Sequence, residues 1–266
     1  MKSVVKSEKE ISELKEGGKI LAEALNRASE KAKEACNERV STADLDEVAE
    51  KVIRKYNAEP SFLNYSENGD TPFPASLCTS INNEIVHGIP RKDRFVAEGD
   101  LVKLDLGVKY KNLFTDAALT VPIGKISELA KNIMETTKMC LEAGLKQIQP
   151  NSYLGDYGNA VEKYVKTKGF YVVRGLVGHG VGYAVHEFPQ IPNYGSPGSG
   201  LKLKEGMVLA LEPMVNEESG RIKLGRDGFS FVTKKKGLSA HFEHTIVVTK
   251  NGCELITKGI QGGVEW

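Results

Sequence analysis

Two aspartates inside an otherwise apolar, β-branched run are the first residues of this chain that could do chemistry. Asp105 lies in the run 101–108 and Asp116 in the run 113–121, and the polar Lys109-Tyr110-Lys111-Asn112 between them reads as the turn of a β-hairpin. A turn centred on Tyr110-Lys111 sets Asp105 directly opposite Asp116 on one face. Opposed carboxylates in a buried hairpin repel, so either one keeps a proton or a cation lies between them. Read this way, the pair is half of a metal site. The alternative is a solvated edge aspartate in a register shifted by one residue.

Two glutamates extend the metal reading. Glu212 ends the apolar run Val208-Leu209-Ala210-Leu211 just before Pro213, and Glu243 precedes His244-Thr245-Ile246-Val247. One acid in a core-like segment is often a satisfied core residue; two more beside the aspartate pair call for a cation. The chain has five histidines. His179 and His186 lie in GLVGHGVGYAVHEFP, 175–189, whose glycines at 175, 178, 180 and 182 read as a loop with its backbone close to something. A single histidine is usually a hydrogen-bonded structural residue, but His179 in such a loop, in a chain with these four acids, reads as a ligand. Two divalent cations balance four carboxylates, and this oxygen-rich set with one imidazole suits Mn, Fe, Co or Zn rather than a thiolate site. Two such ions, roughly 3.5–4 Å apart and bridged by carboxylates, would hold a hydroxide and polarise a carbonyl, which is the equipment of a hydrolase. His87 and His186 remain for substrate contact or proton transfer.

The elements that must position these residues repeat in order. Ser7 to Glu10 has the form of a capping box, opening a helix to about Cys36; Ser41 opens a second, closed by Asn57. An irregular stretch, 60–74, holds Tyr65 and Phe73. Strand character follows at 77–81, and the first hairpin comes at 101. The order then restarts, with helices opened by Ser127 and by Ser152, the latter stopped by Gly169. Strands are expected at 170–173, 207–215, 229–233, 242–249 and 253–256. The expected class is α+β: duplicated helix–helix–strand halves, 7–122 and 127–257, forming one domain over 1–266 with the metal site at the seam.

Composition narrows the rest. A net charge of +1 offers no global case for nucleic acid or a membrane surface. The four cysteines are scattered with no CxxC pair, which argues against a zinc ribbon or a disulfide framework. The N-terminal MKSVVKSEKEI has no apolar core like that of a signal peptide, and no run is long and apolar enough to span a membrane. A cytoplasmic enzyme with reduced thiols is expected.

Taken together, Asp105 and Asp116, GHGVGxxxHE around His179 and His186, LEPM at Glu212, FEHT at Glu243 and INNEIVHGIP around His87 resemble the methionine aminopeptidases, over nearly the whole chain. The likeness is to the type I form, with no zinc-binding extension and no long insertion between His186 and Glu212. The resemblance implies the pseudo-symmetric pita-bread fold and metal-dependent removal of N-terminal methionine, favouring a small second residue, by a metal-bridging hydroxide. It implies that Asp105, Asp116, His179, Glu212 and Glu243 bind metal, with Asp116 and Glu243 bridging. It gives Glu212 the role of proton acceptor, His186 that of hydrogen bonding the carbonyl or oxyanion, and His87 a place beside the substrate's peptide nitrogen or amine. The methionine pocket would comprise Tyr65, Phe73, Cys78, Val185 and Phe229. The implied partner is the N-terminal methionine of nascent polypeptides; a monomer and proximity to the ribosome are further expectations.

The chain departs from the family in several places. Val185 stands where Phe is common, Phe229 where some members have Trp, and His241 where Gln precedes the glutamate. His241 is expected on the same strand face as Glu243, adding a hydrogen bond to the metal shell. The stretch 64–71 is longer than in the compact bacterial form. Two alternatives share the fold: an X-Pro aminopeptidase or dipeptidase, which usually has a further N-terminal domain, and a non-catalytic scaffold, which would have lost ligands.

Overall fold

The computed structural model describes residues 5–66, 69 and 71–264, so residues 67, 68 and 70 of the stretch 64–71 lie outside the described residues. Helix α1, Glu8–Lys33, starts at Ser7, which exchanges backbone and side-chain hydrogen bonds with Glu10, and buries Leu14, Leu21, Leu25 and Ala28 along one stripe. Helix α2, Thr42–Lys55, repeats the device with Ser41 and Asp44, and Asn57 (φ 54°) turns the chain away. Helix α3, Glu128–Leu145, is capped by Ser127. Helix α4, Leu154–Thr167, begins one residue later than Ser152 would have it. Its cap is Tyr153, whose N–H donates to Asp156 (2.8 Å), while the Ser152 hydroxyl donates to the Gln149 carbonyl and closes the preceding turn.

The helices cover one face of a nine-stranded antiparallel sheet. Its order is Glu59–Pro60, Leu101–Tyr110, Leu113–Pro122, Glu243–Thr249, Val208–Leu211, Gly178–Gly180, Glu187–Ile191; Leu77–Ile81 also pairs with Leu101–Tyr110, and Gly252–Leu255 with Glu243–Thr249. Strand alternation divides the two faces. Leu104, Leu106, Val108, Ala117, Leu119, Leu209, Leu211, Ile246 and Val248 share a buried core with Leu21, Leu25, Ile53, Ile133, Leu141 and Val161 of the helices. Asp105, Asp116, Ala118 and Glu243 occupy the alternate positions, on the face turned away from the helices. The two halves of the chain meet where Leu113–Pro122 pairs with Glu243–Thr249.

Two apolar runs that read as single strands are each divided. Pro213 lacks an N–H for the ladder, and 207–215 splits into Val208–Leu211 in the large sheet and Met214–Asn216 in a three-stranded sheet. Ser239–His241 lies in that smaller sheet, and the chain crosses back to form Glu243–Thr249. Glu212 and Glu243 therefore stand at two crossings between the same two sheets. A third sheet joins Ile222–Leu224, Phe231–Thr233 and Glu84–Val86, so the strand expected from residue 229 begins at Phe231. Among the described residues, no helix is long and apolar enough to cross a membrane.

Candidate metal centre and substrate cavity

The hairpin turn sits one residue further along than Tyr110-Lys111. Lys111 and Asn112 both have positive φ (49° and 62°), the signature of a two-residue type I′ loop, which matches the right-handed strand twist. Centring the turn there moves the pairing by two residues: Asp105 lies opposite Ala118, and Asp116 opposite Gly107. The direct Asp105–Asp116 opposition is thus corrected to a diagonal one. Because a shift of two conserves the face, both carboxylates still point the same way.

Cross-strand rows then assemble the site. Cys78, Asp105, Ala118 and Glu243 are successive partners across four strands. The small Ala118 leaves the space between two carboxylates unfilled. Asp116 is locked by Thr245, whose hydroxyl accepts the Asp116 N–H (2.9 Å) and donates to its carbonyl (2.7 Å). His179 lies opposite Ala210 in the short strand Gly178–Gly180, not in the loop that its glycines imply. The glycines serve close strand packing: a Cβ at Gly178 would stand 2.4 Å from the Ala210 carbonyl oxygen, and one at Gly180 2.4 Å from that of Phe188. The His179 Nδ1–H donates to the Gly180 carbonyl (2.9 Å), which leaves the Nε2 lone pair facing Glu212 (3.6 Å) and Asp116 (4.0 Å).

Ligand atoms of Asp116, His179 and Glu243 all lie within 4.8 Å of one another, and Glu212 and Asp105 line the same cavity. Burial, reinforced by mutual repulsion, pushes Asp116 and Glu243 well above the ordinary carboxylate range. Burial likewise raises Asp105 to about 7 and Glu212 to about 8. Protonation alone does not satisfy such a cluster, because Asp116 Oδ1 and Glu243 Oε1 are buried without any hydrogen-bond partner. Convergent oxygen donors with one imidazole nitrogen and orphaned carboxylate oxygens are what divalent cations require, and the residues fit them.

His241 is corrected in place. It ends Ser239–His241, in the smaller sheet, and its Nε2 lies 3.6 Å from Glu212, the neighbour that the sequence left unnamed. Burial holds it down to about 4, so the ring is neutral at ordinary pH, and neither ring nitrogen has a hydrogen-bond partner.

A cavity of about 570 Å³ opens beside the cluster. His87, His186, Tyr65, Phe73, Cys78 and Phe229 line it, as does Phe62, which sequence reasoning passed over. The signal for Phe62 was available only in three dimensions: its ring packs over Gly107, where a Cβ would come within 2.8 Å of it, beside both aspartates. Val185 is 4% exposed and packs with Phe62, Phe73, Ala75 and Cys78 behind the wall rather than on the cavity surface. Phe73 and Phe229 meet edge to face at 5.8 Å. The Tyr65 hydroxyl is 2.9 Å from His186 Nδ1, and the His186 ring stands edge-on to His179 at 4.5 Å. His87 takes a positive φ of 60° next to Phe231.

The sequence profile of metallopeptidase family M24 matches residues 12–250. A methionine aminopeptidase of Clostridium acetobutylicum is 42% identical over 254 residues, covering 96% of this chain and 98% of the relative. The crystal structure of methionine aminopeptidase from Thermotoga maritima superposes with a TM-score of 0.90 at 38% identity, over 97% of this chain and 100% of that one. The prolidase of Pyrococcus horikoshii has the same fold (TM-score 0.74, 25% identity), but the match covers only 64% of its length. The curled sheet with helices on its outer face is the pita-bread fold. With the carboxylate and histidine cluster gathered in one cavity and nearly its whole length matched, the chain belongs to the methionine aminopeptidases of metallopeptidase family M24.

Proposed function

We propose that this chain removes the N-terminal methionine of nascent polypeptides and peptides, favouring a small second residue, with two divalent ions held by Asp105, Asp116, His179, Glu212 and Glu243. The observation that carries the reading is the orphaned carboxylate cluster set against an aromatic cavity. It offers charge for cations on one side and, on the other, an apolar wall of Phe62, Tyr65, Phe73 and Phe229 that suits a thioether side chain. Ions bound there would supply the Lewis acidity and the lowered water pKa that peptide hydrolysis needs.

The chain's own groups do the rest. Glu212, ionised when it holds a cation and lying at the cavity beside the cluster, accepts the proton of the attacking water. His186, oriented through the Tyr65 hydroxyl, hydrogen bonds the scissile carbonyl. His87 contacts the peptide nitrogen. Phe62, Phe73, Cys78 and Phe229 receive the methionine side chain, and Val185 backs them. A second residue has to fit beside the carboxylate cluster, which is the steric basis for a small one.

The test is release of free methionine from Met-Ala and Met-Lys peptides by protein stripped of metal and then given Mn, Fe, Co or Zn singly. Metal-dependent cleavage of Met-Ala alone supports the reading. Comparable turnover of both sinks the preference, cleavage confined to Met-Pro favours an X-Pro peptidase, and metal uptake without cleavage favours a binding scaffold.

A further inference from the structure

We propose that Lys6 is a positioning residue for His186, acting through Glu187 from behind the loop 182–187. The proposal rests on the catalytic reading of His186 given above.

Lys6 is an anomaly for a lysine. Its side chain is fully buried, and its ammonium lies 2.7 Å from Glu187 Oε2, itself only 10% exposed. Few lysines are buried without a specific partner. The approach is tight, since a Cβ at Gly182 (φ 139°) would stand 2.3 Å from Lys6 Cε and would push the end of the lysine aside. The Lys6 backbone is anchored as well. Its N–H donates to the Gly206 carbonyl (2.8 Å), and Val5 bridges to Met207.

The other Glu187 oxygen closes the loop on itself by accepting the N–H groups of Tyr183 and Ala184. Tyr183 places its ring 4.2 Å from the Lys6 ammonium and donates its hydroxyl to Glu10 (2.6 Å), in the capped first turn of α1. One carboxylate therefore ties the loop to the segment before α1, and one tyrosine ties it to α1 itself.

Between these fixed points lie the two residues that serve the cavity. Val185 packs behind its wall and His186 lines it. Phe114 holds the start of the loop, its N–H donating to the Gly182 carbonyl (2.8 Å), and Val185 is packed against Phe62 and Phe73; Lys6 fixes the Glu187 end, next to the His186 ring. Removing the ammonium strips Glu187 Oε2 of its counter-charge in a nearly buried site and leaves the carboxylate only its two loop amides. The loop must then shift to hydrate it, and a displacement of about 1 Å at a catalytic group is enough to cost about 10²-fold in rate.

The experiment compares metal-loaded wild type, K6M, H186A and the K6M/H186A double variant on a Met-Ala-Ser peptide, with kcat expressed per metal-loaded site. K6M is expected to lower kcat at least tenfold while KM changes less than threefold, and the double variant is expected to be no slower than H186A. A purely structural role would lower thermal stability and metal loading but leave kcat per loaded site intact. If H186A loses activity and K6M does not, the positioning role is wrong and the His186 reading stands. If the K6M loss persists on top of H186A, Lys6 acts elsewhere and the proposal falls. If H186A keeps full kcat, the His186 assignment fails and takes this one with it. Should K6M not fold, E187Q, which keeps an acceptor for the two loop amides but removes the charge, is held to the same pattern.

Discussion

Replacing Glu212 with glutamine should have opposite effects with and without metal. Burial raises Glu212 from 4.5 to about 8, so the folded state holds its proton more tightly than the unfolded chain does. The resulting penalty is absent below pH 4.5, grows through the neutral range and is complete above about 8. At about 1.4 kcal/mol per unit, it amounts to about 2 kcal/mol at pH 6 and about 4 kcal/mol at pH 8. Glutamine keeps the shape and has no charge to bury, so stripped E212Q should be more stable than stripped wild type by those amounts. For a chain of this size that is a Tm higher by about 4–8 °C at pH 6 and about 8–16 °C at pH 8. Adding a divalent cation should reverse the order. The lost charge, at roughly 4 Å from a doubly charged ion and an effective dielectric of about 20, is worth up to about 8 kcal/mol, so affinity should fall by at least on the order of 10³-fold. Scanning calorimetry after chelation and after addition of Mn or Co reads both signs. A stripped E212Q that melts below stripped wild type at pH 8, or a gap that does not widen from pH 6 to pH 8, would refute the burial penalty at Glu212. His241 and His244, both held down to about 4, are neutral across pH 6–8, and loss of the Glu212 carboxylate 3.6 Å from His241 only lowers that ring further, so neither contributes to the comparison in this range.

Two further substitutions separate the site from its scaffold. Ala118→Leu puts branched carbons between Asp105 and Glu243; it should cost about 1–3 kcal/mol by overpacking and weaken metal binding more than tenfold, and undiminished uptake in a metal titration would show that the space over Ala118 is not where cations bind. Asp46→Ala removes the acceptor of the Ser76 and Leu77 amides (2.9 and 2.8 Å) that anchors the strand carrying Cys78. It should cost about 1–3 kcal/mol in urea unfolding and leave metal affinity within threefold, whereas a large loss of affinity would make Asp46 part of the site.

The candidate metal ligands were legible because they contradict their surroundings. Carboxylates at Asp105, Asp116, Glu212 and Glu243 interrupt runs whose alternation otherwise demands core residues, and a polar group survives there only with a partner. The helices were equally open to reading, since Ser7, Ser41 and Ser127 cap them through bonds that are local in the chain. Local chemistry was ambiguous at Ser152, where Asp156 three residues beyond Tyr153 supplies a competing cap. It was ambiguous again at the hairpin, where the choice between Tyr110-Lys111 and Lys111-Asn112 depends on which pair accepts positive φ.

Contacts between distant segments lay beyond local reading. That Pro213 and the crossing after His241 bring Glu212 and Glu243 side by side depends on two sheets exchanging strands. That the glycines around His179 accommodate neighbouring strands, that Phe62 packs over Gly107 and that Lys6 reaches Glu187 depend on approaches between residues far apart in the chain. The amino-acid sequence by itself determined which groups could bind metal and on which strand face, because side-chain chemistry and the period of two are properties of each segment alone. Only the tertiary structure decided their pairing, spacing and supports, because register, strand exchange and close packing are properties of segments in contact.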